Sequence, residues 1–118
     1  MDETAPHLQH GHLTKERLHW YPEMGAKRMR WVFFMYGKGR RGLNKLAAEL
    51  APAGYRVREL RVSRRGEGLM VITVLKQLNL DQLRAEVRRL RAASDRLGLF
   101  GLDALDAEDP VNDHLWVN

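Results

Sequence analysis

The chain has 118 residues, of which 44% are apolar and 30% are charged, a balance that predicts one globular domain rather than a disordered segment. It contains no cysteine, which excludes a disulfide scaffold, a thiolate metal site and thiol catalysis. No apolar run approaches the about 18 residues of a membrane span, and the start at Met1 lacks the basic and apolar pattern of a secretory signal. We therefore expect a cytoplasmic protein that does not enter a membrane.

The charged residues are segregated along the chain. All 20 Lys and Arg residues lie between Lys15 and Arg96, where eight acidic residues oppose them, so this body has a net charge of +12. The other seven acidic residues are terminal, and most of them follow Gly101. Fifteen of the 20 cations are Arg, which suits bidentate recognition of phosphate or carboxylate. The pattern predicts either a surface for a polyanion, shielded by an acidic tail, or ordinary solvation of a small domain.

Residues 1–26 are mixed and polar, and they predict an N-terminal segment that is partly flexible. The segment contains His7, His10 and His12. Because a mobile segment lacks the surrounding groups that fix metal ligands, we predict no metal site there. A short helix is predicted over Lys15–His19, after a capping residue at Thr14.

Arg28–Tyr36 reads RMRWVFFMY and is the strongest strand candidate in the chain. Trp31, Phe33 and Met35 point one way and the alternate residues point the other, and both sets are apolar. Such a strand is central, and its second face must be covered by the chain's own ends, by a partner or by a second copy in a homodimer. We predict Trp31, Phe33 and Met35 as a partner interface.

The segment Gly37–Gly42 reads GKGRRG and separates this strand from a helix. Glycines let an anion approach the unsatisfied N–H groups of a helix's first turn, and Lys38, Arg40 and Arg41 would add charged donors. Cations at this end of a helix are unfavourable by roughly 0.3–1 kcal/mol each, which points to an anionic partner. The alternative is a glycine-rich turn with solvated cations. The residues after Gly42 are not the Lys-Ser/Thr pair of a Walker A loop.

The next elements follow in chain order. Apolar residues at helical spacing predict a helix over Leu43–Leu50, before Pro and Gly. Tyr55–Ser63 alternates as a strand but changes face near Glu59, which indicates a bulge. Arg64–Gly68 is a hairpin connection, and Leu69–Leu75 is a second strand that is apolar on both faces.

The clearest helix begins after Asn79, which forms a capping box with Gln82, and ends at Gly98. A short strand over Leu99–Leu105 follows, and residues 106–118 are an acidic tail. The order of elements is therefore β-α-β-β-α-β. A four-stranded antiparallel sheet with both helices on one face, the ferredoxin-like α+β sandwich, buries both helix stripes, and we assign it to residues 27–105.

In order and spacing, several segments resemble the RraB family, the regulators of ribonuclease activity B. These segments are Trp31–Tyr36, Leu46–Leu50, Gly54–Val57, Met70–Thr73 and Leu80–Arg84, with Leu90 and Leu97. The resemblance covers about Met24 to Leu105, and it implies a ferredoxin-like fold and a non-catalytic protein that binds an endoribonuclease and restrains RNA turnover. The chain departs from the family where Phe100–Asp103 replaces a Tyr-Asp-Gly-Trp-like segment, and in having a basic body.

Two functions follow from these patterns. The first is a non-enzymatic regulatory binding protein of the RraB type, which docks on a protein such as a ribonuclease or an RNA-associated complex. The alternative is a basic module that binds RNA or DNA. We find no catalytic, metal or cofactor motif in the sequence and predict none. The residues predicted to contact nucleic acid are Lys38, Arg40, Arg41, Arg28, Arg30, Arg56, Arg58, Arg64 and Arg65.

Overall fold

A computed structural model describes residues 22–110 of the chain. The elements are a short helix α1 (Pro22–Ala26), strand β1 (Met29–Lys38), helix α2 (Arg41–Leu50), a 3-10 turn (Ala51–Ala53), strands β2 (Arg56–Val62) and β3 (Glu67–Lys76), helix α3 (Leu80–Arg96) and strand β4 (Gly101–Glu108). The predicted helix over Lys15–His19 and the three N-terminal histidines lie outside the described residues.

The four strands form one sheet in the order β2-β3-β1-β4, and every neighbouring pair is antiparallel. The two strands that the sequence marks as apolar on both faces, β1 and β3, are therefore the central ones. Strands β1 and β2 run parallel to each other on either side of β3, so the C-terminal ends of β1 and β2 lie at the same end of the sheet. The ferredoxin-like α+β arrangement predicted from the order of elements is confirmed.

The core lies between one face of the sheet and the two long helices. Trp31, Phe33 and Met35 of β1 have no exposed surface and belong to this core. The apolar stripes of both helices pack in the same cluster and close it from one side; their buried members are Leu43, Leu46 and Leu50 of α2, and Leu83, Val87 and Leu90 of α3.

This packing corrects the predicted partner interface. The alternating pattern of β1 has two apolar faces, and the face bearing Trp31, Phe33 and Met35 is the one that the helices cover. None of these three side chains is accessible to a partner in the folded chain. The face opposite the helices, called the open face below because neither α2 nor α3 covers it, carries the half-buried Phe34 and Tyr36 and the buried Val32 and Val71.

Local signals in the sequence locate the ends of the elements well. Asn79 accepts from the backbone N–H of Gln82 at 2.8 Å, and the Gln82 side chain accepts from the Asn79 N–H at 2.9 Å, which completes the predicted capping box. Gly98 follows α3 with a φ of 71°, as a helix stop requires. The bulge in β2 lies between Val57 and Glu59, as predicted. Strand β4 is longer than predicted and includes 106–108 of the predicted tail.

A buried carboxylate joins α3 to the sheet. Glu86 is 8% exposed and accepts hydrogen bonds from the hydroxyl of Tyr55 and the guanidinium of Arg89, and the Lys76 ammonium lies 3.5 Å from it. Burial, and then the bond to Glu86, raise the pKa of Tyr55, so its hydroxyl stays protonated and donates. The Tyr55 ring also packs against Phe33, with ring centroids 6.1 Å apart. The network therefore holds the start of β2, the end of β3 and α3 together.

Candidate nucleic-acid interface

Two loops meet at the end of the sheet where β1 and β2 finish. The N–H of Gly39, after β1, donates to the carbonyl of Gly66 in the β2–β3 hairpin at 2.6 Å. Both residues have positive φ, 71° and 87°, which glycine adopts without strain. A Cβ on Gly68 would lie 2.3 Å from the carbonyl oxygen of Gly39, so this close approach of the two backbones requires glycine there.

Ser63 fixes the shape of the hairpin. Its hydroxyl accepts from the backbone N–H groups of Arg65 and Glu67, each at 3.2 Å. Its carbonyl accepts from the N–H of Gly66 at 2.9 Å. These bonds hold the backbone of Arg64 and Arg65 in a defined turn beside the first loop.

Five exposed cations share this end of the domain, and we call them the loop cluster: Lys38, Arg40, Arg41, Arg64 and Arg65. Their side chains make no hydrogen bond or ion pair with another described residue. The first turn of α2 contains no acidic residue, and Arg40 at its N-cap makes no side-chain capping bond. The cations therefore lie at the positive end of the helix dipole, where an acidic residue would be stabilising and a cation is not. The one acidic residue of the two loops is Glu67, which pairs with Lys38 in the register of β1 with β3, so the five cations leave a net charge of +4 at this end of the domain.

The other predicted arginines are elsewhere. The guanidinium of Arg58 makes two bonds of 2.8 Å to the carboxylate of Glu108, and Arg30 lies 3.5 Å from the same carboxylate. Because β2 and β4 are opposite edges of the sheet, the Arg58–Glu108 pair crosses the open face. Arg28 and Arg56, together with Arg30, line a separate cavity of about 510 Å³ at the start of β1 and β2. Four of the nine predicted cations thus lie apart from the five of the loop cluster.

A cavity of about 670 Å³ opens beside the loop cluster on the open face. Its floor is one row across the four strands: Arg61 pairs with Leu69, Leu69 with Tyr36, and Tyr36 with Gly101. Phe100, which precedes β4 and is 66% exposed, lines the same cavity. The hairpin residues Ser63, Glu67 and Gly68 complete its wall.

The phenol of Tyr36 is the titratable group on this floor. Partial burial, and then the negative charge of Asp103, raise its pKa, while the charge of Arg61 lowers it. The net direction is upward, so the hydroxyl is neutral at neutral pH and can both donate and accept. The cavity therefore combines aromatic surface with a few polar groups, the composition typical of small-ligand clefts.

The sequence indicated only part of this site. It singled out all five members of the loop cluster, but as separate loops. It did not indicate Phe100 as part of a site, because a single aromatic residue between Leu99 and Gly101 gives no periodic signal. Asp103 is also at the cavity, since the register of β1 with β4 shifts between Phe34 and Met35 and leaves it as an extra residue. That shift leaves no trace in the pattern of β4.

Two further observations concern the described part of the chain. Residues 22–110 contain no group of three His, Asp or Glu side chains that could hold a metal ion. None of the helices in this range has the length and apolar character needed to cross a bilayer.

A comparison with protein-family models finds no match, and a comparison with curated proteins finds no relative. The likeness to the RraB family therefore depends on the segments named above and stays a prediction.

Proposed function

We propose that the protein is a non-enzymatic nucleic-acid-binding module whose phosphate contacts come from the loop cluster. The observation that carries the proposal is the concentration of five cations on two bonded loops, where Glu67 is the one acidic residue and none of the five side chains makes an ion pair with a described residue. Four of the five are Arg, whose planar fork can bind phosphate oxygens with two parallel hydrogen bonds. Positive charge of this density attracts a polyanion and releases its counterions on binding.

The rigidity of the two loops supports phosphate recognition over simple solvation. The Gly39–Gly66 bond and the bonds to the Ser63 hydroxyl fix the backbone from which the arginines extend. A fixed backbone lowers the total entropy lost on binding, because only the side-chain torsions remain to be ordered. Mutual repulsion among five neighbouring cations also favours a state in which an anion lies between them.

Docking on a protein partner through β1, the other function predicted from the sequence, loses its proposed interface because Trp31, Phe33 and Met35 are buried. An acidic protein could still contact the loop cluster. The carboxylates on the surface of a folded protein, however, are irregularly spaced. A nucleic acid presents phosphates at a regular short spacing and matches a compact set of cations better. We therefore propose nucleic acid as the ligand.

The test is a titration of a fluorescently labelled single-stranded oligonucleotide, followed by anisotropy over a range of salt concentrations. For single strands, log K falls with log salt by about 0.7 per phosphate contact. If Arg40 and Arg41 each contact one phosphate, replacing both with Ala reduces the slope by about 1.4 and the affinity by roughly 25-fold at 0.1 M salt.

The matched control replaces Arg28 and Arg56, two exposed residues at the starts of β1 and β2, with Ala. This control removes the same net charge from the opposite end of the sheet. We expect it to change the slope by less than half as much. Absence of binding by the wild-type chain, or equal losses in the two double variants, would refute the proposal.

A further inference from the structure

We infer that the cavity beside the loop cluster binds an unpaired base of the same nucleic acid. The inference rests on the proposed function and deepens it, because it makes single strands, rather than duplexes, the preferred ligand. The cavity and the loop cluster are continuous: the hairpin residues Ser63, Glu67 and Gly68 line the cavity, and Arg64 and Arg65 lie in the same hairpin. A phosphate held by these arginines has its own nucleotide within reach of the cavity.

The charges of the cavity favour a base over a phosphate. Arg61, the one cation among the described residues that line it, is already paired with Glu59 at 2.5 Å. Two carboxylates, Glu67 and Asp103, also line it. A phosphate entering this space would meet more negative than positive charge, whereas a neutral base would meet none of that repulsion. The loop cluster outside the cavity has the opposite balance, so the two regions suit the two halves of a nucleotide.

The apolar surfaces of the cavity suit a flat ring. The Phe100 side chain is 66% exposed, although exposure of a large aromatic ring has no benefit for folding. The Tyr36 phenol and the Leu69 side chain form the floor next to it. Aromatic side chains stack on bases of any sequence, because every base has a π-face. The neutral Tyr36 hydroxyl can donate to or accept from the edge of the base.

A duplex cannot use this cavity, because its bases are paired and stacked inside the helix. The cavity floor lies on the sheet, between the hairpin wall and Phe100, so only a base turned out of a strand can reach it. Single-stranded nucleic acid presents such bases at little cost. We therefore expect a single strand to bind more tightly than a duplex of equal charge.

The test compares three probes with the same number of phosphates: a single-stranded oligonucleotide, the same backbone with abasic sites, and inorganic polyphosphate. Substitution Phe100→Ala should weaken binding of the normal oligonucleotide by about 5- to 150-fold, the range of one stacking contact. It should leave the other two probes within about twofold, because neither has a base to stack. The control Val57→Ala truncates another exposed apolar residue, 47% exposed on β2, and should change none of the three.

The outcomes separate the two proposals. If wild-type protein binds all three probes equally and Phe100→Ala changes none of them, the base site is refuted while binding through the loop cluster stands. If wild-type protein binds no probe, the proposed function itself is refuted. If Phe100→Ala weakens all three probes alike, Phe100 acts on the loops and not on a base, which also overturns the inference.

Discussion

Removal of the buried Glu86 carboxylate is the substitution for which the structure supports the most detailed prediction. Glu86→Ala deletes the acceptor of Tyr55 and Arg89 and leaves the Tyr55 hydroxyl, whose residue is 5% exposed, without a partner. A hydrogen bond to a charged group contributes about 1.5–3 kcal/mol, and removing one member of a buried charged set costs about 3–5 kcal/mol. The Arg89 and Lys76 side chains are 49% and 37% exposed and regain water, which reduces the cost. We expect a loss of about 2–4 kcal/mol in the free energy of unfolding.

A companion variant, Glu86→Gln, keeps the shape and removes the charge, so it reveals the pH dependence. Burial raises the pKa of Glu86. The hydrogen bonds from Tyr55 and Arg89 and the charge of Lys76 lower it by more, so the pKa lies below its ordinary value of 4.5. A carboxyl with a depressed pKa stabilises the fold above its unfolded pKa, and this stability is lost as the pH falls through the folded pKa. The advantage of wild type over Glu86→Gln should therefore be largest near neutral pH and shrink on acidification.

The assay is urea unfolding followed by circular dichroism, at neutral pH and at stepwise lower pH. Tyr55→Phe, which removes only the donor, completes a double-mutant cycle with Glu86→Gln and gives the coupling between the two side chains. A cost of Glu86→Ala below about 1 kcal/mol, the median of an exposed pair, would refute the reasoning. A difference between wild type and Glu86→Gln that does not change with pH would refute it as well.

Three further predictions concern the loops and the open face. Gly68→Ala places a Cβ 2.3 Å from the carbonyl oxygen of Gly39, so we expect a loss of about 1–3 kcal/mol and weaker oligonucleotide binding, and an unchanged melting temperature would contradict this. Replacing Arg40 and Arg41 with Ala should raise the free energy of unfolding at low salt by about 0.3–1 kcal/mol per residue, an effect that high salt should abolish and that a destabilised variant would disprove. Glu108→Gln should change stability by less than about 1 kcal/mol in urea unfolding, since its pairs are only partly buried. Its oligonucleotide affinity should stay within about twofold of wild type; a rise of about 5-fold, the value of one phosphate contact at 0.1 M salt, would move the site to the strand arginines.

The fold was predictable because local signals and periodicity agreed. The Asn79 capping box and the apolar stripe of α3 predict the same helix, and the two strands with two apolar faces predict the centre of the sheet. The order of elements then leaves few ways to bury both helices. The choice between the two faces of β1 was not predictable in this way. Both faces are apolar, and only the tertiary packing of α2 and α3 decides that Trp31 is covered and that Phe34 is on the open face.

The candidate site was predictable in composition but not in assembly. From the sequence alone, the glycines and cations of Gly37–Gly42 indicated either an anion-binding loop or a glycine-rich turn with solvated cations. The partnership of this loop with the hairpin depends on the parallel placement of β1 and β2, and on a backbone hydrogen bond that no side chain encodes. The cavity depends in addition on the register shift opposite Phe34, which leaves no mark in the sequence of β4.

The shape of β2 has a consequence for the concentrated protein. Within the described residues β2 has a neighbouring strand on one side only, so its outer N–H and C=O groups could template another chain. Its sequence RVRELRV places a positive charge at nearly every second residue, and its bulge interrupts the regular ladder. Both features resist strand addition and the growth of cross-β fibres from this edge. We therefore expect the arginines of β2 to disfavour aggregation of separate copies, whether or not a nucleic acid is bound.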